Sequence, residues 1–252
     1  MNYIVAADTD VGIKRKVNQD SVLVEHAQYR GKQVVMAIVC DGMGGFASGE
    51  LASATIINDM SQWFHKNFPA YLTNKSLQEI GNEWEQVLVE TSEKIYQYAL
   101  KQGEKMGSTF TGAIFYENQY VYMHVGDSRL YEITDSLAQI SEDQTFMVRE
   151  VKRGTMTLEE ALADKRRNYL TQSVGGTKVV KPYVEVKTTK TANYLFCSDG
   201  FRHVLKEQEL VKYFNKNVNT EKTLQEHARY LIELVKSRKE TDNITAVLVH
   251  AM

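Results

Sequence analysis

Four aspartates stand at the ends of short apolar runs, and this placement constrains the fold more than any other feature of the chain. Asp41 closes the run VVMAIVC, Asp127 closes VYMHVG, Asp199 closes YLFCS, and Asp242 opens NITAVLV. Runs of this length that are rich in Val, Ile and Tyr are typical of buried strands. In a mainly antiparallel sheet the ends of such strands can lie along one edge, so we expect the four carboxylates to converge there.

Converging carboxylates repel one another, and a carboxylate is costly to bury unless a cation meets it. A divalent metal supplies that counter-charge, and an all-oxygen ligand set favours Mg²⁺ or Mn²⁺ over Zn²⁺. The loop DGMGGFASGE begins at Asp41, and its glycines let the backbone approach a ligand closely. The backbone carbonyl of Gly42 is therefore a further candidate ligand.

The composition is that of an ordinary globular protein, since 43% of the 252 residues are hydrophobic and 25% are charged. A formal net charge of −2 gives no reason to expect nucleic acid or an anionic membrane as a partner. The N-terminus lacks a signal-peptide pattern, and no stretch approaches the roughly 20 apolar residues that span a bilayer. We expect a cytoplasmic protein, with a monomer as the default state.

The two cysteines, Cys40 and Cys197, give neither a disulfide framework nor metal-ligand spacing. A cysteine-dependent phosphatase would need an arginine six positions after its thiol to hold the phosphate. Phe46 stands at that position after Cys40, and Arg202 comes one residue too early after Cys197. The sequence therefore excludes this chemistry.

The chain has no Gly/Pro-rich linker, so we expect one domain over residues 1–252. Strands are predicted near 2–8, 20–26, 33–40, 109–117, 119–126, 128–134, 182–188, 193–198 and 243–250. Helical periodicity is clear after the glycine-rich loop, around residues 84–98 and around residues 224–235. Strands in runs with helices in pairs favour an α+β fold: two antiparallel β-sheets packed as a sandwich and flanked by helix pairs, in α-β-β-α layers.

The segment near 146–172 is highly charged and contains the short helical stretch TLEEALA. Thr157 is the predicted N-cap of this helix, and Glu160 at its third position completes a capping box. An insertion of this kind beside a catalytic edge can form a flap over the site. The alternative is a solvated surface helix.

Near the N-terminus, RKVNQD places Arg15 five residues before Asp20. The planar fork of Arg15 could bind a phosphate, and Asp20 could hold a metal-bound water.

Six motifs occur in order along the chain: RKVNQD, DGMGGFASGE, GSTFTGA, VGDSR, LFCSDGF and ETDNIT. Together they resemble the metal-dependent protein phosphatase family of the type 2C class, in its bacterial single-domain branch. The resemblance extends from residue 12 to residue 249 and implies a β-sandwich flanked by helices, with a metal cluster in a cleft at one end.

The resemblance also implies a ligand set. Asp41 would bridge two metal ions, with the Gly42 carbonyl completing one of them, and Asp199 and Asp242 would bind the second ion. Asp127, sharing Asp199, would bind a third, weaker ion.

Other residues gain roles from the same resemblance. Arg15 matches the arginine that grips phosphate, and Asp20 matches an outer acid that reaches the metals through water. Ser128 and Asn243 each follow a ligand aspartate and suit an orienting role. Gln19 stands where many relatives carry Glu, so one negative charge is absent there.

The implied reaction is hydrolysis of phosphoserine and phosphothreonine monoesters by direct attack of a metal-bridging hydroxide. The cofactors would be Mn²⁺ or Mg²⁺, with two ions in the core site. The implied partners are phosphoproteins, among them a bacterial Ser/Thr kinase and its targets. Many eukaryotic relatives have a histidine where Met43 stands, so any general acid must be a different group.

Two other interpretations are open to the sequence. YIVAA followed by Asp8, Thr9 and Asp10 is similar to the opening of haloacid dehalogenases, but Gly12 stands where their threonine should be. The second is a catalytically weak pseudophosphatase that only binds phosphoproteins. Degenerate domains of that kind usually lose metal aspartates, whereas Asp41, Asp127 and their two partners are present here.

Overall fold

The computed structural model describes residues 1–44 and 48–252, except for the side chains of residues 69–71. Its strands are β1 (Tyr3–Asp10), β2 (Asp20–Tyr29), β3 (Lys32–Gly44), β4 (Met106–Ser108), β5 (Phe110–Tyr116), β6 (Gln119–Val125), β7 (Arg129–Ile133), β8 (Leu137–Gln139), β9 (Tyr183–Thr188), β10 (Ala192–Cys197) and β11 (Ile244–Ala251). Its helices are α1 (Ser48–Asn74), α2 (Leu77–Gln102), α3 (Phe146–Lys152), α4 (Leu158–Ala163), α5 (Asp199–Arg202), α6 (Glu207–Phe214) and α7 (Glu221–Ser237). Each predicted strand is found, and β4 and β8 are additional.

The strands form two antiparallel sheets. One sheet has the order β1-β11-β10-β7-β8, and the other has the order β2-β3-β5-β6-β9, with β4 paired to the end of β3. β1 pairs with β11 along its whole length, so the first and last strands lie side by side.

Three hydrophobic layers hold the molecule together, and β3 shows how the sequence creates two of them. Met36 and Ile38 face the layer beneath α1 and α2, whereas Ala37 and Val39 face the layer between the sheets. This alternation is the period of two expected of a strand that is buried on both faces. A third layer joins the other sheet to α6 and α7. These layers confirm the predicted α+β sandwich with helices on both outer faces.

The long helices follow the predicted apolar faces. In α2, Trp84, Leu88 and Ile95 are buried, and a capping box at Ser76 begins the helix. The helix ends at Gly103, whose left-handed backbone (φ 68°) suits glycine. Among the described residues, no helix combines the length and apolar character needed to cross a membrane.

The segment 146–172 forms α3 and α4, and we call it the flap. Thr157 caps α4 with Glu160 as predicted. Backbone hydrogen bonds close the base of the flap, from Phe146 N–H to the Tyr169 carbonyl (2.7 Å) and from Thr171 N–H to the Gln144 carbonyl (2.8 Å). The flap is thus a closed unit attached beside the turn that follows β6.

The two sheets bring the motif aspartates to one end of the sandwich. Asp199 follows β10 and Asp242 precedes the neighbouring β11, while Asp127 lies in the connection from β6 to β7, which passes from one sheet to the other. Asp41 is paired with Asp20 across β2 and β3. The expectation that Asp41 closes its strand is wrong, because β3 continues to Gly44 by pairing with β4.

Candidate active site

Asp41 lies at the centre of a group of carboxylates. Burial raises its pKa well above the usual value, and the negative charges of Asp20, Asp199, Asp127 and Asp242 raise it further. All four neighbours are therefore close enough to act on Asp41 electrostatically. The convergence expected from the strand ends is present in the structure.

Asp20 is almost completely buried beside Asp41. Neither of its carboxylate oxygens has a hydrogen-bond partner within the described part of the chain. Burial raises its pKa to about 7, although the nearby hydroxyls of Thr245 and Ser198 act in the opposite direction. An unpartnered buried carboxylate of this kind is costly in the protein alone, so it indicates a ligand or an ordered water.

Asp199 and Asp242 form the opposite wall. Burial and the charge of Asp242 raise the pKa of Asp199. Arg15 Nη2 lies 2.8 Å from Asp242 Oδ2 and is half exposed. Among the described residues, this is the one ion pair that any of Asp20, Asp41, Asp199 and Asp242 makes with a basic side chain. The wall therefore carries excess negative charge next to a single arginine.

The donor set suits hard divalent cations, since its side chains are carboxylates. No three His, Cys, Asp or Glu side chains among the described residues close around a single point. Mg²⁺ does not require such a cage, because it keeps several waters and takes one or two carboxylates. The unpartnered oxygens of Asp20 and the crowding around Asp41 fit a metal centre of this type.

Close backbone packing fixes the segment around Gly42. The Gly42 N–H donates to the Gln19 carbonyl at 3.1 Å. A side chain at Gly42 would place its Cβ 2.5 Å from the Gln19 carbonyl oxygen and 2.3 Å from that of Gly49. Only glycine is tolerated here, which explains the start of the DGMGG motif. Residues 45–47 of that loop lie outside the described residues.

Hydroxyl groups orient Asp41 from the junction of β4 and β5 and from the connection between β6 and β7. The Asp41 N–H donates to Thr109 Oγ1 at 2.9 Å, and Ser108 Oγ donates to the Asp41 carbonyl at 3.0 Å. Thr109 and Ser128 share a hydrogen bond between their hydroxyls at 2.7 Å. Ser128 thus acts on Asp41 through Thr109, whose role the sequence analysis did not identify although it lies in the GSTFTGA motif.

Asn243 connects the end of the chain to the loop that carries Arg15. Its Nδ2 donates to the Val11 carbonyl (3.0 Å) and the Val17 carbonyl (3.1 Å), and its Oδ1 accepts from Gln19 N–H (2.9 Å). Its own N–H donates to Asp242 Oδ1 at 2.8 Å. These contacts are those of an orienting residue, as the resemblance implied.

Asp127 has a different environment, which sequence reasoning missed. Arg202 Nη2 donates to the Asp127 carbonyl at 3.1 Å and lies 4.0 Å from Asp127 Oδ2. Arg129 binds Asp143 through two bonds of 2.7 Å, and Arg202 Nη2 is 3.7 Å from the same carboxylate. Burial and Asp199 raise the pKa of Asp127 to about 7, while the arginines act against them. The VGDSR motif supplies Asp127 and Arg129, but no local pattern indicates the full cluster, because Asp143 and Arg202 come from two other segments.

The alternative sites are unsuited to catalysis. Asp8 pairs with Arg229 (3.2 Å) and Asp10 pairs with Lys236 (2.9 Å), so the dehalogenase-like acids are engaged with α7. Cys40 and Cys197 are buried, and burial raises the pKa of the Cys197 thiol to about 12. Neither thiol is a nucleophile at neutral pH.

Comparison with known proteins identifies the class that this fold and site define. The family model described as Protein phosphatase 2C matches residues 13–239. A protein phosphatase 2C-type protein of Streptococcus pyogenes is 30% identical over 250 residues, covering 98% of this chain and 96% of the relative. The chain therefore belongs to the protein phosphatase 2C family, and it is a metal-dependent serine/threonine protein phosphatase of the bacterial kind.

Solved structures agree with this assignment. The serine/threonine phosphatase of S. agalactiae superposes with a TM-score of 0.85 at 28% identity, covering 100% of both chains. The catalytic domain of the serine/threonine protein phosphatase PstP, solved with two manganese ions, gives a TM-score of 0.77 at 27% identity and covers 99% of both chains. The family resemblance and the predicted fold are thereby confirmed.

Proposed function

We propose that this phosphatase hydrolyses phosphoserine and phosphothreonine esters at a centre of two divalent ions held by Asp41, the Gly42 carbonyl, Asp199 and Asp242. The observation that carries the proposal is the convergence of carboxylates on Asp41, with the buried Asp20 left unpartnered among the described residues. The relative solved with two manganese ions supports the number of ions and favours Mn²⁺.

Each polar residue then has a defined task. When bound, the ions would supply an activated water and neutralise charge on the phosphate. Arg15 binds the phosphate oxygens through its fork, and its half-exposed position next to Asp242 leaves it free to reach a substrate. Asp20 holds a water at the inner edge of the centre, since its two oxygens need donors. Thr109 keeps Asp41 in place.

The first experiment is phosphate release from a phosphothreonine peptide with Mn²⁺, with a chelator, and with Asp199→Asn. We expect release to require the metal and to fall by more than about 100-fold in the variant, because even outer partners of a metal site are worth 10–100-fold. Asp135→Asn is the matched control, since Asp135 is 70% exposed and its ion pair within the described residues is with Lys216. Full activity of a folded Asp199→Asn protein, or release that persists in chelator, would contradict the assignment.

We also propose that the natural substrates include a Ser/Thr kinase and the proteins that it phosphorylates. The named relatives are bacterial protein phosphatases, among them PhpP of Streptococcus pneumoniae. The test offers the enzyme an autophosphorylated Ser/Thr kinase and an autophosphorylated tyrosine kinase. Loss of label from the first alone supports the proposal, and equal or no loss from both refutes it.

The flap carries a run of three basic residues. Lys165, Arg166 and Arg167 are all exposed, and Arg166 is held by Asp164 at 2.8 Å and lies over the Phe146 ring. We propose that the charges of Lys165 and Arg167 favour peptide over small substrates, so their effect should depend on the substrate offered.

Reversing both charges, Lys165→Glu with Arg167→Glu, should lower kcat/KM for a phosphopeptide roughly three- to tenfold and leave an aryl phosphate unchanged. Lys222→Glu on α7 is the control, because Lys222 is 85% exposed and far along the chain from the flap. Equal effects on both substrates would mean that the flap does not select between them.

A further inference from the structure

We propose that Arg202 is a built-in cation beside Asp127 that keeps a third divalent ion from binding there, so that this chain binds two divalent ions. The proposal rests on the proposed two-ion centre and concerns the part of the cleft next to it. Arg202 would act as a positioning residue, because it sets the charge and orientation of Asp127 and does not touch the substrate.

The guanidinium of Arg202 is enclosed and directed at Asp127. Its Nη2 donates to the Asp127 carbonyl at 3.1 Å and lies 4.0 Å from Asp127 Oδ2. The side chain is 15% exposed, whereas that of Arg15 is 48% exposed. The Nε of Arg202 is buried and has no partner within the described part of the chain. An enclosed group of this kind cannot swing into solvent to make room for an ion as Arg15 can.

Asp143, the other carboxylate near Arg202, does not neutralise the charge of Arg202. Asp143 lies 3.7 Å from Arg202, but Arg129 already binds both oxygens of Asp143 at 2.7 Å. Asp143 also accepts from Gln139 Nε2 at 3.1 Å. Arg129 and Asp143 therefore balance each other, and the positive charge of Arg202 remains for Asp127.

A permanent cation next to a carboxylate opposes a second cation there. Arginine keeps its proton at any pH that a protein tolerates, so Arg202 cannot yield by losing its charge. A divalent ion bound to Asp127 would lie beside this fixed charge and would compete with it for the same oxygens. The position of Arg202 three residues after Asp199, within the short helix α5, keeps the guanidinium in that place.

The experiment measures Mn²⁺ stoichiometry and affinity by isothermal titration calorimetry and by equilibrium dialysis. We expect two ions for the wild type and an additional ion for Arg202→Gln. Arg202→Lys keeps the charge and should stay at two ions. Asp127→Asn should change nothing in the wild-type background but should abolish the additional ion in Arg202→Gln.

The outcomes separate this proposal from the two-ion centre. Loss of the first two Mn²⁺ ions in Asp199→Asn tests the two-ion centre alone. Binding of a third Mn²⁺ ion in Arg202→Gln tests the role of Arg202. A wild type that binds a third ion and loses it in Asp127→Asn would overturn the proposal. It would also be overturned if Arg202→Gln, shown by circular dichroism to be folded, still bound two ions with no third event. Should Arg202→Gln fail to fold, the Asp127→Asn comparison decides alone.

Discussion

Two neighbouring regions of one cleft treat their carboxylates in opposite ways. The acidic centre crowds its carboxylates around a single paired arginine, and it consists of Asp20, Asp41, Asp199, Asp242 and Arg15. The arginine flank matches each carboxylate with a guanidinium, and it consists of Asp127, Asp143, Arg129 and Arg202. The acidic centre keeps its negative charge for a ligand, whereas arginines of the fold partly offset the negative charge of the flank.

The energetic consequence follows from Coulomb's law. Two unit charges 4 Å apart interact by about 4 kcal/mol at the effective dielectric constant typical near a protein surface. The acidic centre should therefore weaken the metal-free fold, whereas the arginine flank should strengthen it. Metal binding would then stabilise the protein mainly through the centre.

The largest expected effect comes from Asp41→Asn. Activity on a phosphothreonine peptide should fall by more than about 100-fold, because the proposed bridging ligand is lost. The metal-free protein should nevertheless become more stable by about 1–2 kcal/mol, since the crowded charge is removed. Urea denaturation in chelator measures this gain, and a destabilised metal-free variant would contradict the comparison.

The same substitution in the arginine flank should have the opposite sign. Asp143→Asn removes the partner of two arginines in a nearly buried pair, and we expect a loss of about 3 kcal/mol in the free energy of unfolding. Mn²⁺ binding by the two core ions should not change. The exposed Asp135→Asn should shift stability by less than about 0.5 kcal/mol, which controls for loss of an ordinary surface carboxylate.

Arg15 tests the one arginine of the acidic centre. Arg15→Lys keeps the charge but loses the planar fork, so kcat/KM for the phosphopeptide should fall roughly tenfold. Stability should change by less than about 1 kcal/mol, because the pair with Asp242 is half exposed. A large loss of stability with unchanged kinetics would make Arg15 a structural residue.

The pH dependence of stability should distinguish the regions by a smaller amount. The pKa of Asp20 and that of Asp127 are both raised to about 7 in the folded protein. A raised folded-state pKa contributes stability that is complete below pH 4 and is lost as the pH rises through about 7. The midpoint of thermal unfolding of metal-free protein should therefore fall by a few degrees between pH 5 and pH 8.

Saturating Mn²⁺ should cancel the contribution of Asp20 to this loss of stability with pH, because metal binding favours ionised carboxylates. The contribution of Asp127 should remain. Measuring the pH dependence of the thermal midpoint in Asp20→Asn and in Asp127→Asn identifies the two contributions separately. A metal-free protein that becomes more stable towards pH 8 would contradict the predicted direction of the pH dependence.

The acidic centre could be predicted from the sequence and the arginine flank could not. Asp41, Asp127, Asp199 and Asp242 lie at the ends of strongly periodic runs, and local pattern is sufficient to place such positions. Arg129, Asp143 and Arg202 meet only after the sandwich closes. β4 was missed for a related reason, because a three-residue strand has no periodicity and is fixed by its pairing with residues 42–44.

The pairing of β1 with β11 sets the moment at which a newly synthesised chain becomes an enzyme. β1 leaves the ribosome long before its partner strand β11, so this part of the sheet cannot form until β11 has been synthesised. Asp242 and Asn243 lie directly before β11, and Asn243 also fixes the loop that bears Arg15. A chain broken off before residue 242 therefore lacks both Asp242 and the contacts that hold the Arg15 loop, and it cannot form the site.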